Sequence, residues 1–223
     1  MKLIKVRPKK KKKRMQVKAA LYTVAFDDMG ELRLHDSTFS RYCKDLCPYG
    51  LKQECNFRCN NDGEYGRLLH LWSQQGFLIS FFSNQRSKLN TPRYGNISVK
   101  EAIERHEILL NEIQNELATG NLENLFVPLH SNPNRKVKWP DSKFKSKYRN
   151  EEFENWIRIY AVCFVEEDTG KLNYIITGGG IKLVEKMSDF APLEYEERKQ
   201  EMVIQYLIDN DITTRDRIET VIL

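Results

Sequence analysis

The stretch YIITGGGIKL, residues 174–183, sets Gly178, Gly179 and Gly180 directly after an apolar run and places Lys182 two residues beyond them. Glycines beside a lysine can form a loop whose backbone N–H groups surround a phosphate. A Walker-type loop, however, needs a glycine, four residues, Gly-Lys and then a hydroxyl. Here Ile181 precedes Lys182 and Leu183 follows it. A dinucleotide fingerprint fails at the same place, because it needs a small residue where Leu183 stands. The trio instead reads as glycines that permit positive φ or a bulge at the end of a strand. Lys182 is then carried just past that end.

A second group of candidates lies upstream. SNPNRKVKWPDSKFKSKYR, residues 131–149, holds seven bases against the single acid Asp141. Lys136, Lys138, Lys143, Lys145, Lys147 and Arg149 supply the charge for a polyanion, and Lys186 extends it beyond the glycines. Trp139, Phe144 and Tyr148 interleave with these cations, a composition that suits base stacking on single-stranded nucleic acid or, equally, a loop anchored to a core.

The third group is a quartet. CKDLCPYGLKQECNFRC sets Cys43, Cys47, Cys55 and Cys59 as two C-x3-C pairs. Four thiolates so close in sequence can close a tetrahedral structural zinc site, although C-x2-C is the commoner spacing. Unligated thiols and paired disulfides are the alternatives. Cys163, within an apolar run, reads as a core residue.

These candidates need a frame. The chain has 223 residues, 40% of them hydrophobic, enough for a packed core. No apolar run approaches the roughly 18–20 residues of a membrane span, and no hydrophobic leader is present at the start. A cytoplasmic protein that does not enter the membrane is expected. The net charge of +5 is unevenly placed, since residues 1–18 hold ten Lys or Arg and no acid. Such a block repels itself, so a basic disordered tail is expected over 1–18, followed by one α+β domain over 19–223 with a Cys-rich insertion at 43–59. The tail suits contact with nucleic acid or ribosome, an import signal, or plain solvation.

Val17–Phe26 reads as a strand and Glu31–His35 as its returning partner in a hairpin. A helix is expected through residues 40–46, and another over residues 63–76, where Tyr65, Leu68, Leu69 and Trp72 repeat at helical spacing. FLISFF, Phe77–Phe82, reads as a strand by composition. Ser98 with Glu101 forms a capping box for a long helix ended by Gly120. Leu125–His130 reads as a strand kept to an edge by Pro128. Trp156–Val165 and Lys171–Gly178 should pair as an antiparallel hairpin, with helices following near Glu194–Ile208 and from Thr213.

From Trp156 to Lys186 the pattern of WIRIYAVCFV, a short turn, YIITGGGIKLVEKM and a helical stretch resembles the C-terminal part of RelE/ParE-type toxins. The order of a helix-forming first half, LFVPLHS, IRIYAV and YIITGGGIK is similar to larger phage- and plasmid-associated relatives, over roughly residues 39–208. The resemblance implies a small twisted antiparallel sheet packed by helices. In its ribonuclease branch it implies cleavage of mRNA on the ribosome, with a cognate antitoxin as partner. ParE-type relatives act on gyrase instead. RNA cleavage by its own 2′-OH needs cations at the phosphate and a proton acceptor, with no metal.

By this resemblance Arg158 matches the strand arginine and Lys182 the basic residue after the terminal-strand glycine. Lys143, Lys145, Lys147 and Arg149 match basic residues of earlier strands. Lys186 and Met187 stand where the ribonucleases carry Tyr or His, so Tyr148, Tyr160 or His130 would have to transfer the proton. The expectation is a RelE-like protein acting on RNA or the translating ribosome. The alternative is a non-catalytic nucleic-acid-binding or protein-interaction module of the same fold.

Overall fold

The structure, a computed structural model, describes residues 2–5, 20–25, 59–120, 122–129, 143–165 and 172–212. Six strands form one sheet in the order β1-β2-β6-β5-β4-β3. They are β1 (Lys2–Lys5), β2 (Ala20–Ala25), β3 (Phe126–Pro128), β4 (Lys143–Ser146), β5 (Ile157–Val165) and β6 (Leu172–Ile181). The four strands β3 to β6 are antiparallel neighbours, as expected of an α+β fold. β2 joins them in parallel to β6, and β1 pairs antiparallel with β2.

The beginning of the chain departs from expectation. Lys2–Lys5 are a strand of the sheet, so the first residues are not part of a tail, and the basic block from Arg7 lies outside the described residues. β2 is paired on one side by β1 and on the other by β6, and the hairpin return expected at Glu31–His35 lies outside the described residues. The helix expected at residues 40–46, the Cys-rich segment up to 58 and the helix expected from Thr213 lie outside the described residues.

The helices are α1 (Cys59–Ser73), α2 (Gln75–Asn84), the short α3 (Arg86–Leu89), α4 (Val99–Thr119), the short α5 (Leu122–Leu125) and α6 (Ala191–Asp209). α4 begins where its capping box predicts. The Ser98 hydroxyl accepts from the Glu101 N–H at 3.2 Å, and Gly120 closes the helix with φ of 74° in the left-handed region. Pro192 sits in the first turn of α6, where its missing N–H costs nothing.

FLISFF is helical, not extended. The buried residues of α2 are Phe77, Leu78 and Phe82, a set that a helix presents on one side but a strand would split between two faces. Phe82 packs edge-on against Trp156 at 5.6 Å, which fixes α2 on the sheet. A six-residue apolar run carries no periodicity that separates buried helix from buried strand.

The sheet separates two apolar layers. On one face Ile157, Ile159, Ala161, Cys163, Tyr174 and Ile176 pack beneath α1, α2 and α4. On the other, Val162, Phe164 and Ile175 meet Val203, Ile204 and Leu207 of α6. Cys163 is a core residue, as its strand position predicts, and burial pushes its thiol up to about 12. Among the described residues no helix is long and apolar enough to cross a membrane.

Candidate phosphate site at the end of the sheet

Three neighbouring strands bring Lys145, Arg158 and Lys182 together. Lys145 lies opposite Tyr160 in the β4–β5 register, and Arg158 lies opposite Gly180 in the β5–β6 register. The ladder runs one residue past β6, because the Lys182 N–H donates to the Trp156 carbonyl at 2.7 Å. Residues two apart on a strand share a face, so Lys145, Arg158 and Lys182 project from the same side, with Arg158 diagonal to each lysine.

The arginine is held from behind. Arg158 Nη1 donates to the carbonyls of Asn155 and Ile157 at 2.9 and 2.8 Å. Lys145 Nζ donates to the Leu129 carbonyl at 3.2 Å. Burial lowers the Lys182 pKa below the usual lysine value, and repulsion from Arg158, Lys145 and Arg93 lowers it further. Lys145 is lowered by burial and then by Arg158 and Lys147. Among the described residues none of these three cations forms an ion pair, whereas Lys143 pairs with Glu201 at 2.7 Å.

Arg93 stands beside this group, and its charge adds to the repulsion that lowers Lys182. Tyr94 next to it donates its hydroxyl to the Lys182 carbonyl at 3.2 Å, drawing the loop ahead of α4 onto the end of β6. Arg93 itself pairs with Glu154 at 2.6 Å. No local pattern signals either contact, since Glu154 lies 61 residues from Arg93 and Lys182 lies 88 from Tyr94.

Among the other sequence candidates Tyr160 adjoins this group, opposite Lys145 and two residues along β5 from Arg158. Tyr160 is 1% exposed, packed with Leu129, Val184 and Leu193, and burial raises its phenol well above the ordinary value. That packing helps seat α6 on the sheet, with the phenol near the Arg158 guanidinium. Tyr148 is half-buried against the core under α4, where Glu112, Glu116 and Glu151 add to the effect of burial in raising its pKa. Acids, not the cation group, surround it. Lys147, Arg149 and Lys186 are exposed. His130, Lys136, Lys138, Trp139, Cys43, Cys47 and Cys55 lie outside the described residues, and Cys59 opens α1. No group of three or more His, Cys, Asp or Glu that could hold a metal occurs among the described residues.

The glycine trio has its own reason. It lies inside β6, and none of the three has positive φ, but a bulge does interrupt the β5–β6 register, with Tyr160 opposite Gly178 and Ala161 opposite Ile176. A Cβ at Gly178 would overlap the Glu196 carboxylate, one at Gly179 would lie 2.6 Å from the Arg158 carbonyl, and one at Gly180 would lie 2.7 Å from Leu193. Gly178 and Gly180 therefore let α6 approach the sheet, and Gly179 leaves room for Leu68 and Trp72 of α1 on the other face.

What they admit is a buried charge network. Lys199 of α6 bonds Glu64 of α1 at 2.7 Å and Glu196 at 2.8 Å, and Arg67 bonds Glu64 through Nη2 at 2.8 Å. The pairing of β2 with β6 ends at Ile176. Just beyond, Glu196 Oε2 accepts the Gly179 N–H at 2.9 Å, capping a strand-edge donor that has no strand to bond. Burial alone would raise Glu64, but Arg67 and Lys199 outweigh it and hold that carboxyl at about 2. Glu196 is shifted upward, by burial and by Glu64, despite the same two cations. Comparison of the chain with protein-family models, curated proteins and solved structures gave no match.

Proposed function

We propose that this chain is a RelE-like, toxin-fold protein that acts on RNA, alone or on the translating ribosome. The observation that carries the reading is the placement of Arg158 between Lys145 and Lys182 on one face, with no acid paired to any of the three among the described residues. A half-buried cation group of this kind costs self-repulsion and is offset when an anion binds. An RNA phosphate supplies that anion.

In the catalytic form of this reading the 2′-OH attacks the adjacent phosphorus. The P–O5′ bond breaks, leaving a 2′,3′-cyclic phosphate and a 5′-hydroxyl. Arg158 neutralises charge on the phosphate. Burial lowers the pKa of all three cations, and the two lysines, whose ordinary value lies below that of arginine, are the ones suited to accept and return the proton. A cognate antitoxin covering this face, and structural zinc on Cys43, Cys47, Cys55 and Cys59, belong to the same proposal.

Burial of Tyr160 favours a second reading, a non-catalytic RNA-binding module of the same fold. RNA incubated with the full chain, with Lys182→Ala and with Arg158→Lys separates the two. Cleavage by wild type and its loss in both variants supports the enzyme. Salt-dependent binding without cleavage supports the module, and absence of binding at low salt removes both.

A further inference from the structure

We propose that the hollow at the carboxyl ends of β2 and β6 is a nucleobase pocket, a second site outside the cation row. The RNA reading above uses only the row. The pocket goes beyond it, and rests on it only where RNA supplies the base.

Topology opens a crevice there. β2 and β6 are parallel neighbours. The next described helix after β2 is α1, on the face of Ile159 and Tyr174, whereas α6, the helix after β6, lies on the face of Val162 and Ile175. Where the chain leaves neighbouring parallel strands toward opposite faces, a crevice forms outside their carboxyl ends, and ligands bind in such crevices. Here it is a hollow of about 370 Å³, counted with its open mouth.

Its walls fit a flat ring. Trp72, Phe77, Phe81 and Phe190 line it, and Phe81 meets Phe190 edge-on at 6.2 Å. Arg67 is the one charged side chain among the described residues that line it, and its Nε and Nη2 donate to Glu64 Oε2 at 3.1 and 2.8 Å. Aromatic rings and guanidinium planes both stack on bases.

The strand edge supplies polar groups for the rim of a base. The Lys182 N–H donates to the Trp156 carbonyl, and the Ile159 N–H donates to Ser146 Oγ on β4. These two bonds set the alternation of β6: Gly180 and Lys182 bond toward β5, while Gly179 and Ile181 turn their backbone groups away from it. Glu196 takes the Gly179 N–H. Because β2 stops pairing at Ile176, no described strand meets the Gly179 carbonyl or the Ile181 N–H and carbonyl, and both residues line the hollow. Acceptor, donor and acceptor in succession complement the mixed donors and acceptors on a base edge. Lys182, the next residue, ends the diagonal row from Lys145 through Arg158, so a phosphate on the row and a base in the hollow can belong to one nucleotide.

The base can come from RNA or from a free nucleotide, and competition separates the two. The test titrates the full chain with adenosine, guanosine, cytidine, uridine and, as the compound without a base, ribose. At least one nucleoside should bind saturably and at least about tenfold more tightly than ribose. Leu71→Trp, which fills the half-buried mouth of the hollow, and Phe190→Ala should each weaken that binding at least about tenfold, the scale of a lost base–aromatic stack, while still melting cooperatively. Single-stranded RNA that displaces the nucleoside identifies RNA as the source, and displacement by the nucleoside monophosphate alone identifies a free nucleotide. Nucleoside binding that survives both substitutions overturns the pocket, because the base then lies elsewhere. If no nucleoside binds at up to about 10 mM, RNA decides: Leu71→Trp binding RNA as tightly as wild type overturns the pocket and leaves the RNA reading intact, and a loss of at least about tenfold supports it. If neither nucleoside nor RNA binds, both readings fall.

Discussion

The backbone N–H of Gly179 donates to Glu196 Oε2 at 2.9 Å, so a buried carboxylate from a helix caps the edge of a strand at the place where β2 stops pairing with β6. Side chains on the neighbouring residues would close that approach. Gly178→Ala drives a methyl group into the Glu196 carboxylate and to within 2.7 Å of Lys199 Nζ. It should cost about 3–5 kcal/mol, the scale of breaking a buried ion pair. Gly180→Ala meets only the end of the Leu193 side chain, which can turn, and should cost about 1–3 kcal/mol. Urea unfolding of the two variants checks the order, and equal losses would contradict it.

The sequence carried the long-range part of this arrangement poorly. α4 was legible because both of its ends are signalled locally, by Ser98 with Glu101 and by Gly120. β5 and β6 were legible because long runs rich in β-branched and aromatic residues flank a short turn. The Glu64–Lys199 contact joins residues 135 apart and leaves no mark on either local pattern. Arg93 was missed for the same reason, and α2 because six apolar residues fit both periods. Arg158 and Lys182 were found as separate residues. Their meeting depends on the register of β6 past its glycines, which only pairing defines.

Lys199 holds two carboxylates at once, at 2.7 and 2.8 Å, with 1% of its side chain exposed. Lys199→Met leaves Glu64 and Glu196 to share Arg67, which reaches Glu196 only at 3.8 Å. The single variant should lose about 3–5 kcal/mol. Adding Glu196→Gln removes the uncompensated charge and should recover part of that loss, giving a coupling energy that a double-mutant cycle in urea reads directly. A purely additive cycle would mean that the two side chains do not act together.

His106 ties stability to pH. Its Nδ1 accepts from Trp156 Nε1 at 3.2 Å, and burial among aromatic rings pushes its pKa down to about 3. The unfolded chain has the ordinary value near 6.5, so between these values only the unfolded state binds the proton. Stability is therefore fully present above about pH 6.5 and falls as pH drops toward 3, at up to about 1.4 kcal/mol per pH unit. Glu64 stays ionised between pH 6.5 and 5, but the raised Glu196 carboxyl can contribute there, so substitution of His106 is what reads the histidine's share. His106→Phe should flatten that part of the profile, and an unchanged slope in the variant would assign the effect elsewhere.

Cysteine reactivity separates the zinc site from free thiols. Cys163 is buried with its thiol raised to about 12, so it should resist modification until the protein unfolds. If Cys43, Cys47, Cys55 and Cys59 hold zinc, native protein as purified should contain about one metal per chain and react slowly with a thiol reagent. A chelator should then release four reactive thiols. Four fast thiols without metal at the outset would exclude the site.

The cation site makes a prediction about salt that its alternatives do not share. If Arg158, Lys145 and Lys182 each meet RNA phosphate, removing one should lower the slope of log affinity against log salt by about 1 and weaken binding across sequences alike. Lys182→Ala and Lys145→Gln are the informative variants, because neither side chain is fully buried. Lys143→Gln serves as the control on the same strand, since its charge is already paired with Glu201, and it should leave the slope nearly unchanged. Tyr160→Phe distinguishes a buried packing residue from a proton carrier. With Tyr160 sealed among Leu129, Val184 and Leu193, it should leave RNA binding and any cleavage rate within about twofold of wild type, since a lost general acid or base costs about 10²–10⁴-fold. A loss on that scale in Tyr160→Phe, with folding intact, would return the phenol to the reaction and require the α6 face to open around it.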